Sequence, residues 1–438
     1  MRYTRYPTHI QRDDGLAIPI DENNYEYRAY LAWLAAGNTP SNPPAPSPDQ
    51  LRERSITLYN KLAERVSVKD YGAVGDGVAN DTVAINVAIS ANPGKRIYFP
   101  AGAYKVTSTI LLTGDGARIQ GDGWGTQIFS TALNVPVISI VSPFCAIDGV
   151  ALSYAGTPVA GASTINVASS AASLTNFVVR NGYVGLNVTA SGVALVVSDF
   201  DILDYENAGV LLTDVNDVFL SDFILNAGNL SRGTQGGIRL VGNVQALVAQ
   251  NGDVLFGVYG MTTDSTTNTY NARPSYNKFA NVYFDSTKNG VSLNKTVSTT
   301  FESCWFASTK AYFGIEITSC DCITFQKCEI VNNWQHGAVI NASSFRTIFE
   351  SCKVLSNGQQ TPGAYHGLVF QSGTSDFRVQ GNIVGNHIGF NTRQQFGILI
   401  NSGASDRYII ADNLVSNNLS SGVSDGGTGV NKRVASNF

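Results

Sequence analysis

The sequence predicts an all-β chain wound as a parallel solenoid, with three short strands to each coil, and two observations carry that prediction. The first is a repeat. FESCWF at 301–306, FQKCEI at 325–330 and FESCKV at 349–354 set Phe301, Phe325 and Phe349, and likewise Cys304, Cys328 and Cys352, at a constant step of 24 residues. A fixed period in the 20–50 range marks a stacked architecture. The second is composition. Charged residues make up 14% of the 438, against about 25% in ordinary soluble domains, and there are 43 glycines. The repeats hold apolar segments of a few residues broken by Gly, Asn and Ser, too short for helical repeats and lacking a leucine-rich consensus. In a solenoid, equivalent residues of successive coils stack about 4.8 Å apart. The Phe and Cys series become interior columns, with cysteine acting as a small hydrophobe.

Taken in order, residues 1 to 40 are polar and tyrosine-rich, with one helical stretch, NYEYRAYLAWLAAGN. TPSNPPAPSPD follows and reads as an extended linker. QLRERSITLYNKLAERV then predicts a short amphipathic helix on Leu51, Leu58, Leu62 and Val66. Beyond Val66 the solenoid pattern takes over. Gly290-Val-Ser-Leu, Gly314-Ile-Glu-Ile, Gly337-Ala-Val-Ile, Gly367-Leu-Val-Phe and Gly397-Ile-Leu-Ile form the first strand of five coils, at steps of 24, 23, 30 and 30 residues. Earlier coils show in LVVSDFDI (195–202), VFLSDFIL (218–225) and NKFANVYF (277–284). The expected division is an N-terminal segment with its linker over 1–48, a connecting helix over 49–65, a cap motif over 66–106 and the solenoid over 107–438.

Bulk properties exclude several classes. A formal net charge of −4 argues against a general nucleic-acid binder. No apolar run of about 18 residues predicts membrane insertion. The opening MRYTRYPTHIQRDDG has no apolar export core, so synthesis in a reducing cytoplasm with free thiols is expected. Cys320, Cys322 and Cys328 lack zinc-type spacing. No metal or other cofactor is implied.

VSVKDYGAVGDGVANDTVAINVAIS followed by RIYFPAGAYKV, residues 66–106, resembles the opening motif of the pectate-lyase-like, single-stranded right-handed β-helix superfamily. Gly75-Asp76-Gly77 supplies a tight turn. Asp81 is expected to cap a helix starting at Thr82, whose face of Val83, Ile85, Ala88 and Ile89 lids the open end of the solenoid. RAYLAWLAAGNTP with its proline run is similar to segments of phage tail proteins, and with a β-helix it resembles a bacteriophage tailspike. That resemblance implies a right-handed parallel β-helix in a homotrimer, joined to a tail or baseplate protein through its N-terminus. It also implies a virion component, made in the host cytoplasm and acting outside the cell, that binds or cleaves a bacterial surface polysaccharide.

Catalytic residues share no motif across that family, so the coil frame must place them. If Cys304 and Phe306 point inward, Trp305 points out. The same outward column reads Asp201, Ile224, Asp253, Tyr283, Trp305, Glu329 and Lys353. An exposed Tyr–Trp pair flanked by carboxylates suits a sugar, whose ring stacks on aromatics and whose hydroxyls bond carboxylates. One bend earlier come Gln250, Ala280, Glu302, Gln326 and Glu350. Glu302, Glu329 and Glu350 are the expected catalytic carboxylates, acting as acid and base in glycoside hydrolysis. Trp305, Tyr283, Asp253, Lys353 and Arg239 are the expected substrate-binding residues. His336 and His366 each precede a first-strand glycine and are expected to stack at one corner. A lyase and a non-catalytic adhesin of the same fold remain alternatives.

Overall fold

The computed structural model describes residues 1–44, 47, 49, 52–53, 65–189, 194–265, 272–388 and 393–438. It divides into two compact units, Met1–Glu64 and Arg65–Phe438. The expected connecting helix falls mostly outside the described residues.

In the first unit the predicted helix spans Tyr25–Ala35, and the Asn24 side chain accepts from the backbone N–H of Glu26 and Tyr27. Three antiparallel strands that the pattern did not announce, Tyr3–Arg5, His9–Arg12 and Ala17–Pro19, pack with it around Tyr3, Ile10, Ile18 and Tyr30. These strands are three or four residues long, too short for an alternation signal. Arg12 ties the unit together, bonding Asp14 at 2.8 Å and Glu26 at 2.6 Å.

The second unit is the expected solenoid. A 13-stranded sheet, the short sheet, faces a 23-stranded one, the long sheet, across a continuous apolar core. The five glycine-led strands pair in parallel in the predicted register: Val291 with Ile315, Ile315 with Ala338, Ala338 with Leu368, Leu368 with Ile398. No helix among the described residues is long and apolar enough to cross a membrane.

The cap motif departs from expectation in two places. Asp81 does not cap the helix Thr82–Ser90. Its backbone is already helical (φ −89°, ψ −1°), which turns the side chain away from the helix start. The carboxylate instead accepts from the Val74 and Gly75 N–H groups at 2.6 and 3.1 Å and so holds the Gly75 turn. Asn80 Oδ1 takes the capping role, accepting from the Thr82 N–H at 3.2 Å. Val83 is exposed, one helical step off the buried face of Thr82, Ile85, Ala88 and Ile89.

What bends the long sheet is a left-handed residue at the same place in successive coils. Asp199, Asp222, Asn251, Asn281, Ser303, Lys327 and Ser351 occupy this place with φ between 53° and 54°. In the strands Leu195–Leu203, Val218–Asn226, Val248–Leu255 and Lys278–Asp285 it kinks a continuous strand; from Val297 onward it separates two. Asn and Asp tolerate this conformation best among residues with a side chain, which explains the S-D-F and A-N-V words of the sequence.

Like residues then stack. Phe279, Phe301, Phe325 and Phe349 form one column with ring centroids 4.8, 5.1 and 4.8 Å apart. The cysteine column proves to be more than apolar filling. Sγ of Cys304, Cys328 and Cys352 donates to the carbonyl of Phe279, Phe301 and Phe325 in the preceding coil, at 3.5, 3.4 and 3.4 Å. In the next coils Asn382, Asn413 and Asn437 take over the position, and their Nδ2 groups donate to Phe349, Val379 and Ile410 at 3.0, 3.0 and 3.1 Å. Cysteine here substitutes for an asparagine donor.

At another corner Phe313, His336, His366 and Phe396 stack at 5.5, 5.1 and 5.3 Å. His336 Nδ1 accepts from the His366 N–H at 3.0 Å, and His366 Nδ1 from the Phe396 N–H at 3.4 Å. Burial pushes the imidazoles down to about 3 and about 4.

Two outcomes follow for stability. Phe325→Ala empties the middle of the phenylalanine column and is expected to cost about 3–5 kcal/mol, read as a lower denaturant midpoint. The histidines titrate lower folded than unfolded, so their contribution is complete above about pH 6.5 and is lost as pH falls towards 4 and 3. Melting curves between pH 7 and 4 should fall less steeply for the His336→Asn/His366→Asn double variant than for wild type.

Candidate functional site

The outward column assembles in the predicted order. Asp201, Ile224, Asp253, Tyr283, Trp305, Glu329 and Lys353 are register partners in successive coils. Tyr283 and Trp305 are 38% and 37% exposed, with ring centroids 5.4 Å apart. Glu302 and Glu350 lie in the column on the other arm of the bend, separated by Gln326.

Each of the three expected catalytic glutamates is held by a cation. Glu302 lies 3.0 Å from Lys278, Glu329 2.7 Å from Lys353, and Glu350 3.4 Å from Arg378. The Lys278 bond holds the Glu302 carboxyl below its usual range. Arg239 stands apart from the other expected binding residues. It belongs to the short sheet, in a polar hollow of about 290 Å³ with Tyr259 and Asp264, while the aromatic pair belongs to the long sheet.

A second candidate site lies at the N-terminal side of the aromatic pair. The left-handed residues and the outward column together line a cleft of about 510 Å³, with Asp199, Asp201, Asp222 and Asp253 on its walls and Tyr283 at one end. Asn281 Nδ2 donates to Asn251 Oδ1 at 3.1 Å, and Asn251 Nδ2 to Asp222 Oδ1 at 3.3 Å, so the wall is itself a hydrogen-bonded ladder. Asp201 and Asp253 stand two coils apart with Ile224 between them, about 9.6 Å along the stack at the sheet spacing. Partial burial raises both carboxyls. The charge of Asp285 raises Asp253 further, while Arg180 opposes the rise at Asp201.

Sequence reasoning placed Asp201 in the column without giving it a role and passed over Asp199 and Asp222. The available signal was the acid or amide two places before each outward residue, in SDFD, SDFI, NGD and NVY.

The family profile described as rhamnogalacturonase A/epimerase, pectate lyase-like matches residues 65–339. The chain belongs to this pectate-lyase-like family. A second profile, for the right-handed β-helix region, matches residues 265–438 of the same pectate-lyase-like chain. A probable glucan endo-1,3-β-glucosidase of Arthroderma benhamiae is 38% identical over 98 residues, 20% of this chain and 10% of that protein. The matched segments thus span about a tenth of such curated relatives. The mannuronan C-5 epimerase AlgE4 A-module of Azotobacter vinelandii is 16% identical and superposes with a TM-score of 0.61, over 85% of this chain and 100% of that one. The Dettilon tailspike protein is 14% identical with a TM-score of 0.57, over 83% and 69%. At such identities the likeness is one of fold.

The cleft of this pectate-lyase-like chain depends on Gly252 in its floor. A Cβ there would lie 2.2 Å from Phe223 Cζ, so the ring of Phe223 covers the glycine. Gly252→Ala is expected to displace that ring and to destabilise by about 1–3 kcal/mol. An unchanged melting temperature would show a floor loose enough to absorb a methyl group.

Proposed function

We propose that this chain is a tailspike-type depolymerase that binds a bacterial surface polysaccharide and hydrolyses its glycosidic bonds in the aspartate-lined cleft. One observation carries the reading: two partly buried carboxyls with raised affinity for protons face one cleft across an intervening coil, with an exposed aromatic pair adjoining its end. Inverting glycosidases hold their two carboxyls roughly 6.5–9.5 Å apart, leaving room for a water. Asp253, raised by burial and by Asp285, keeps its proton to higher pH and protonates the leaving oxygen. Asp201, also raised by burial but with Arg180 opposing the rise, is assigned to activate the water. Tyr283 and Trp305 stack on the sugar rings beyond the cleft. Glu302, Glu329 and Glu350 receive binding roles, because each is already engaged by a cation, at Lys278, Lys353 and Arg378, and the Lys278 bond lowers the proton affinity of Glu302.

Residues 1–48, part of a unit with its own small core, would attach the spike to the tail, and the active particle would be a homotrimer on the virion acting at the host surface. The test is incubation with surface polysaccharides from a panel of candidate hosts, following chain length, reducing ends and near-ultraviolet absorbance. The expected result is shortening of one host's glycan without the absorbance of an unsaturated product. Asp201→Asn and Asp253→Asn should each lower the rate by about 10²–10⁴-fold while the protein stays folded. Asp285→Asn should move the alkaline limb of the pH profile to lower pH. Full activity in both folded Asp→Asn variants would remove the assignment, and binding without shortening would leave a recognition spike.

A further inference from the structure

We infer that the sugar unit held between Asp201 and Asp253 carries no acidic group. This rests on the reading of the cleft as a glycan site and adds a rule of charge to it. Four carboxylates line the cleft, Asp199, Asp201, Asp222 and Asp253, and among the described lining residues there is no lysine, arginine or histidine. Asp285, at the end of the adjoining strand Lys278–Asp285, adds its field. Elsewhere on the same face the acids are neutralised: Glu302 by Lys278, Glu329 by Lys353, Glu350 by Arg378. The cleft is the place where acids gather and the cations stop. Arg180, which has no ion-pair partner among the described residues, lies in the neighbouring hollow with Trp124, and its charge is felt at Asp201.

A uronate, sialate or phosphorylated unit would bring another anion into this field with no cation among the lining residues to receive it. The hydroxyls of an uncharged hexose, or of an amino sugar, can donate to the carboxylates of Asp199, Asp201 and Asp222. The same argument disfavours β-elimination. That reaction draws a proton from beside a uronate carboxylate and needs a cation near that carboxylate, where this cleft presents acids. The rule therefore links substrate class to reaction type: a glycan without acidic groups at the cleaved unit, and hydrolysis.

The experiment is affinity electrophoresis of the full chain in gels containing polygalacturonate, comparing wild type with Asp222→Asn and Asp376→Asn. Asp222 is a wall residue whose place is already filled by asparagine in the next two coils, at Asn251 and Asn281, so the amide fits the left-handed backbone. Asp376, paired with Arg407 away from the cleft, gives the same change in net charge. Removing one like charge at this range is expected to strengthen polygalacturonate binding about tenfold at low salt, an effect that shrinks as salt screens it. Asp376→Asn should give no such gain. Equal retardation of wild type and Asp222→Asn, or an equal gain from Asp376→Asn, overturns the charge rule. Shortening of a host glycan decides the depolymerase reading separately, so the two can fail independently.

Discussion

The long sheet rests on one backbone constraint, a residue at the same place in seven successive coils, from Asp199 to Ser351, held near φ 54°. Without it each strand would continue straight, and no concave line would run along the face. With it, the side chains before and after the bend diverge, and the residue at the bend points outward between them. The bend repeats in register over successive coils, so it becomes a trough. The cleft of acids is a stretch of that trough in which the bending residues happen to be acids and amides.

Inside, the same register turns local contacts into columns. Phenylalanine lies on phenylalanine and histidine on histidine because the parallel pairing brings like positions together, and each coil meets mainly its two neighbours. This makes the fold a sum of similar interfaces. Loop insertions that stretch later coils to 30 residues leave the strand register intact, as the pairing of Ala338 with Leu368 and of Leu368 with Ile398 demonstrates.

Much of this was legible in the sequence. The 24-residue step of Phe and Cys set the register, and from the register the outward column could be read residue by residue. The glycine-led strands and the histidine stack followed from the same frame. What escaped was anything that depends on electrostatic environment or on which arm of a bend a side chain occupies. Glu302, Glu329 and Glu350 have cations from neighbouring coils: Lys353 follows Glu329 in the outward column and was legible there, whereas Lys278 beside Glu302 and Arg378 beside Glu350 are pairings no local pattern announces. Asp201 and Asp253 differ from them in burial, which is a property of the trough and not of the residue. Asp81 shows the same limit on a smaller scale: an acid before a helix was the expected cap, and its own backbone conformation sent it to a turn instead.

The column that passes from cysteine to asparagine has a direction. Every side chain in it reaches back to a carbonyl of the coil before, and the asparagines also bond one another, Asn382 Nδ2 to Asn413 Oδ1 and Asn413 Nδ2 to Asn437 Oδ1. A duplicated coil slipped into the column would find a carbonyl behind it and would offer one to the coil ahead, needing only a small donor at the bend. Such a chain can grow by copying, lengthening its outer face in steps of one strand spacing, with no part of the existing interior rebuilt.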